Sequence, residues 1–332
     1  MLLCCGLSGL SSRHKSRKTS RLDEERLGAI VLGSWRVGGC FCRMAKEEKP
    51  MIREISQDVL WSPEDDKALA SFLKATLQHT LLEALLHLER ADSSDRSVCL
   101  TQLAAWGERV QMAEECAQPH AQAEVLRRVL VEEMDLQGDT ESYHQPQNSY
   151  ISRVILRRRG LPISLAVVWM EVGQRAGFRV EGVGMPGHFL VRVGGEKGVF
   201  VDAFHGGEIL SREECKERFR SLSHGRAFWE ERFLDVTPTR NILERILRNL
   251  SYAYLKQQEV VPFYRIHRFL WSLTSHEPTA LMACMQIAER FGYVEQALED
   301  AELLSQRYPD TKEAQLATHH LTSLYHQKHS MN

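Results

Sequence analysis

The segment from Leu161 to Ala203 limits the fold more than any other part of this chain. Leu161 to Ala176 reads as one helix, with Pro162 in its first turn and Gly177 at its end. A proline loses nothing in a first turn, where its missing N–H has no helical partner, and a glycine tolerates the conformation that ends a helix. Two β-rich runs follow, Val180–Val193 and Val199–Ala203, joined across the turn Gly194-Gly195-Glu196-Lys197-Gly198. A helix followed by an antiparallel hairpin means α+β. The sequence carries no strand–helix–strand alternation and no Gly-rich phosphate loop, which sets a doubly wound sheet aside.

Helical patterns flank this segment. Ser62-Pro63-Glu64-Asp65 is a helix start, with a capping serine, a first-turn proline and acids at the positive end of the dipole. Leu69, Phe72, Leu73, Leu77, Leu81, Leu85 and Leu88 then recur at three- and four-residue steps and form one apolar stripe. Leu100 to Met112 and Ala121 to Met134 repeat the pattern. After Pro238 the chain is helical again, and Gly292, Ala297, Ala301 and Pro309 fall where a tetratricopeptide unit places its turn, its small packing residues and its terminating proline. A weaker copy ends at Pro278, close to that repeat's spacing of about 34 residues. The expected organisation is a disordered leader over 1–50, a helical domain over 51–142, an α+β core over 143–237 and a helical-repeat tail over 238–332.

Composition narrows the function. A formal charge of −2 over 332 residues gives no electrostatic footprint for nucleic acid or an anionic membrane. The apolar run Met1 to Leu10 is too short to span a bilayer. Eight cysteines, at 4, 5, 40, 42, 99, 116, 215 and 284, include no C-x-x-C pair and lack the density of a secreted scaffold, so a reducing cytoplasm is expected. No cluster has metal-ligand spacing, and the sequence implies neither a metal nor a cofactor.

Four strings carry a resemblance. They are Tyr143-x-x-Pro146-x-Asn148-Ser149-Tyr150; Arg158-Arg159-Gly160-Leu161-Pro162-Ile163-Ser164-Leu165-Ala166; Gly182-Val183-Gly184-Met185-Pro186-Gly187-His188-Phe189-Leu190-Val191; and Val201-Asp202-Ala203-Phe204-x-Gly206-Gly207. Together they resemble a bacterial family of transglutaminase-like proteins with C-terminal tetratricopeptide repeats, named after an invasion regulator B, whose core also occurs in a eukaryotic F-box protein. The resemblance covers roughly residues 60 to 315. It implies a papain- or transglutaminase-like core, a helix packed on a small antiparallel sheet, between the helical N-terminal domain and the repeats.

The wider fold implies a Cys-His-Asp triad. A thiol is acidified at a helix N-terminus beside an imidazolium, and the imidazole needs an acid to hold its tautomer. Carried over position by position, the His falls on His188, the Asp on Asp202 and the Cys on Pro162, which has no nucleophile. Asn148, Tyr150 and Gly187 are candidates to line the cleft. His205 is expected outside the pair, because neighbours on a strand alternate faces. The basic run Arg153, Arg157, Arg158 and Arg159 reads as a solvated helix face with one buried ion pair. Two readings follow. In one, the chain is a non-catalytic binding or scaffold protein that engages a protein partner through its repeats. In the other, Ser164 replaces the cysteine in a Ser164-His188-Asp202 hydrolase or amidase, against the turn of about 200° that separates positions 162 and 164 on a helix.

Overall fold

The computed structural model describes residues 59–113, 117–274 and 277–331. The expected leader over 1–50 and Cys4, Cys5, Cys40, Cys42 and Cys116 lie outside the described residues. The first part is helical: α1 (Pro63–Leu77), α2 (Leu81–Leu88), α3 (Ser93–Gln111) and α4 (Pro119–Arg127), the last continued by a π-helical turn over Arg128–Glu133. Ser62 caps α1 in a reciprocal box with Asp65, whose carboxylate accepts the Ser62 N–H at 2.9 Å. The single stripe expected from Leu69 to Leu88 is two helices. His79 takes a left-handed φ of 57° between them, and Leu77 at the break is exposed. Asp65 is buried and bridges Arg90 at 3.0 Å and Arg265 at 3.2 Å, pinning α1 to a later helix.

The short strands β1 (Gln137–Gly138) and β2 (Arg159–Gly160) pair in parallel around α5 (Ile151–Arg157). Helix α6 (Pro162–Arg175) starts on Pro162 as expected from the sequence and is buried over almost its whole first half. The sheet beside it holds four antiparallel strands in sequential order, β3 (Val180–Val183), β4 (Leu190–Val193), β5 (Val199–Asp202) and β6 (Glu208–Leu210). The β-rich run Val180–Val193 is thus two strands. Pro186 has no N–H for a ladder and Gly187 takes a φ of 81°, so residues 184–189 form the connecting loop. Strand β6 carries no signal strong enough to be expected.

Both faces of the sheet are covered, so its strands are more continuously apolar than a one-sided sheet allows. Val180, Val191, Val193 and Val201 belong to the main core with α6, while Val183, Leu190, Phe200 and Leu210 pack with Cys215 and Phe219 of α7 (Arg212–Leu222). Gly173 of α6 lets the helix approach β3: a methyl there would lie 2.3 Å from Val180 Cγ2. The main core is continuous from Phe72 to Leu273 and crosses both expected boundaries of the α+β segment.

Five helices complete the chain: α8 (Thr239–Gln257), α9 (Val260–Leu273), α10 (Thr279–Arg290), α11 (Val294–Arg307) and α12 (Lys312–Met331). Each packs on the next. Ala297 and Ala301 are buried in a second core with Tyr264, Cys284, Met285 and Leu304, and Gly292 turns the chain between α10 and α11 at a φ of 81°. Among the described residues no helix is long and apolar enough to cross a membrane.

Candidate functional site

Asp202 is the last residue of β5 and is fully buried. Along the strand it shares the parity of Phe200, which faces α7, and Arg218 of α7 contacts its Oδ2. The same oxygen lies 2.7 Å from His188 Nε2 and 2.9 Å from His205 Nδ1. Its Oδ1 accepts the backbone N–H groups of Phe204 and His205, each at 3.1 Å. Burial alone would favour the neutral acid, but the hydrogen bonds from His188 and His205 outweigh it and hold the carboxyl far below the usual range.

His188 is buried in the loop before β4, where its own N–H donates to the Met185 carbonyl at 3.0 Å. Asp202 ends β5, whereas His188 precedes its neighbouring strand, because Pro186-Gly187 delays the start of β4 to Leu190. The Phe204 ring meets the His188 imidazole edge-on, centroids 6.4 Å apart. An ionised carboxylate only accepts, so the proton sits on His188 Nε2, and in the neutral ring Nδ1 is left with a lone pair. That is the orientation a general base needs.

His205 lies in the site, against the expectation that alternation excludes it. The chain leaves the strand at Asp202, and a turn with Gly206 and Gly207 at φ of 68° and 71° folds His205 back. Arg218, which the sequence did not single out, also pairs with Glu208. Sequence reasoning had no signal for it beyond the Ser211–Glu214 capping box that starts its helix. His188, Asp202 and His205 offer ligand atoms within 4.8 Å of one another, a grouping that no sequence spacing displays. Arg218 Nη1, 3.3 Å from His205 Nδ1 and in contact with Asp202, supplies the positive charge there.

The remaining site candidates are held by other partners. Ser164 is buried in the first turn of α6. Its Oγ donates to the Asn148 carbonyl at 2.6 Å, lies 3.1 Å from the Leu161 carbonyl and accepts the Leu161 N–H at 2.9 Å. No hydrogen bond joins it to His188 among the described residues. Asn148 is itself buried, donating to the Ser142 carbonyl at 2.7 Å and accepting from Arg157 at 2.9 Å. Arg157 also pairs with the buried Asp139 at 3.1 Å, the ion pair expected within the basic run. The Tyr150 hydroxyl meets that of Tyr254 at 2.6 Å, tying the segment before α5 to α8. Gly187 serves the loop through its positive φ.

Among the described residues, thiols offer nothing in exchange. Cys99, Cys215 and Cys284 are buried, and burial pushes the Cys99 and Cys215 thiols up to about 11 and about 12 and raises that of Cys284 as well.

The helix, the antiparallel sheet and the His188–Asp202 pair all fall within residues 97–248, which match the family model for the transglutaminase-like superfamily, so the chain contains a transglutaminase-like domain. The chain is 36% identical over 211 residues to a UPF0162 protein of Xylella fastidiosa strain Temecula1, covering 61% of this chain and 74% of that one. A UPF0162 protein of Vibrio cholerae is 24% identical over 208 residues, covering 62% and 77%. The chain belongs to the UPF0162 family. It is also similar to F-box only protein 21 of Homo sapiens, at 29% identity over 102 residues, which covers 28% of this chain and 16% of that protein. No solved structure matches it significantly.

Proposed function

We propose that this chain is a non-catalytic member of the transglutaminase-like superfamily that acts as a binding or scaffold protein. The observation that carries the reading is the commitment of Ser164 Oγ to the Asn148 carbonyl at 2.6 Å, in the same first helical turn as Pro162, which stands at the position that the resemblance gives to the nucleophile. Pro162 contributes no nucleophile, Ser164 has its hydroxyl engaged with backbone, and the described cysteines are held as neutral thiols. His188, Asp202, His205 and Arg218 then act as a fixed polar cluster that shapes the cleft.

The finer organisation belongs to the same proposal. Residues 51–142 form an N-terminal helical domain, 143–237 the transglutaminase-like core and 238–332 a tetratricopeptide-like tail. Consecutive packing of α8 to α12 and the buried Ala297 and Ala301 support the tail assignment. The tail engages a protein partner, and the chain works in the cytoplasm. The test is turnover: the full chain is incubated with a glutamine-donor peptide and a fluorescent amine, and separately with ester and amide substrates. The expected rates equal those of the His188→Ala variant. Turnover lost in that variant would contradict the reading.

A further inference from the structure

A cavity of about 300 Å³ opens beside the loop that carries His188, between that loop, the segment before α8 and the first turns of α8. Gly184, Phe189, Thr237 and Asn241 form its neutral wall. Three charged side chains line it as well. Arg232 is already paired with Glu230 at 2.6 Å. Arg245 and Asp235 are not paired, with each other or with any other charged group among the described residues.

Arg245 is the unusual member. Its guanidinium lies over the Phe189 ring, 5.4 Å from the centroid, and donates one hydrogen bond, from Nη1 to the Met185 carbonyl at 3.2 Å. A guanidinium carries five N–H donors, and a half-buried one is ordinarily matched by a carboxylate. Burial lowers its pKa to about 10, the sign of a charge whose environment does not neutralise it.

We propose that this cavity binds a small zwitterionic carboxylate of the amino-acid type, its carboxylate held by Arg245, its ammonium by Asp235 and its apolar part against Phe189. The charges select the class. One unneutralised cation matches one carboxylate, which a guanidinium grips through two parallel N–H bonds. A dianionic phosphate meets the Asp235 carboxylate, and the other cation of the lining, Arg232, already has Glu230 as its partner. The free carboxylate of Asp235 accounts for the ammonium. The site is separate from the His188–Asp202 pair and holds whether or not that pair is catalytic. It is not isolated from it, because the Met185 carbonyl that accepts from Arg245 also accepts the His188 N–H.

The experiment is calorimetric titration of the full chain with each of the twenty standard amino acids. For the tightest binder it is repeated with the matching des-amino acid, the matching amine and inorganic phosphate. Saturable binding of at least one amino acid is expected, with at least tenfold weaker binding of its des-amino acid and its amine, and none of phosphate. Arg245→Met and Arg245→Lys are each expected to weaken binding at least tenfold, the second because it keeps the charge and loses the fork. Asp235→Asn is expected to erase the preference for the amino acid over its des-amino analogue. Circular dichroism of each variant confirms its fold, and Arg245→Lys serves if Arg245→Met does not fold. No saturable binding by any amino acid, phosphate binding as tight, or unchanged affinity in Arg245→Lys overturns the proposal.

Discussion

Ser164 Oγ donates to the carbonyl of Asn148 at 2.6 Å, across sixteen residues of chain. The bond closes the segment before α5 onto the first turn of α6, and the same oxygen accepts the Leu161 N–H. A serine with both functions filled by buried backbone is a structural serine.

Replacing Ser164 with alanine removes the hydroxyl from this junction, where the Leu161 N–H keeps its direct bond to the Asn148 carbonyl at 3.2 Å. The expected loss of stability is about 0.5–1.5 kcal/mol, read as a lower urea midpoint with an unchanged slope. An unchanged midpoint would mean that the hydroxyl is not holding the turn.

Asp202 gives the protein a specific acid sensitivity. Its carboxyl is held far below the usual value by His188 and His205 against the opposing effect of burial. A depressed folded pKa contributes stability that is complete above the unfolded value of about 3.9 and is lost as pH falls from there toward the folded value. Asp202→Asn is therefore expected to be less stable than the parent at pH 7, with the gap narrowing below about pH 4. Urea unfolding at several pH values measures it, and a gap that widens on acidification would contradict the assignment.

Glu89 acts in the opposite sense. Burial pushes its carboxyl up from 4.5 to about 7, although it accepts the Ser152 N–H at 3.1 Å. Because the folded state favours the neutral acid, this group's contribution to stability falls as pH rises from 4.5 toward about 7. Glu89→Gln keeps the acceptor and removes the titration, so it is expected to flatten that decline and to be the more stable protein at pH 8. A variant less stable than the parent at pH 8 would show that the charged form is the one the fold prefers.

The parts of this structure that were readable in the sequence are those marked by local chemistry. Helix α6 announces itself through Pro162 and Gly177, and α1 through Ser62 and Pro63. The hairpin of β4 and β5 is marked by its glycine-rich turn. Misreadings arise where one residue breaks a continuing pattern: His79 splits an apolar stripe into two helices, and Pro186-Gly187 splits one β-rich run into two strands. The site was legible in His188 and Asp202 through the motif strings. It was not legible in His205, since alternation holds only while the strand continues and the strand stops at Asp202. Arg218 joins from α7 through tertiary packing, which no spacing in the sequence encodes.

Among the described residues, neither the Ser164 hydroxyl nor a thiol is hydrogen-bonded to His188. The direct measurement is activity-based labelling of the full chain at neutral pH with a fluorophosphonate and with iodoacetamide, the modified residues located by mass spectrometry. The account predicts no labelling of Ser164 by the fluorophosphonate, and thiol labelling no faster in the parent than in His188→Ala. Fast, selective labelling of Ser164 or of any cysteine that disappears in His188→Ala would contradict it.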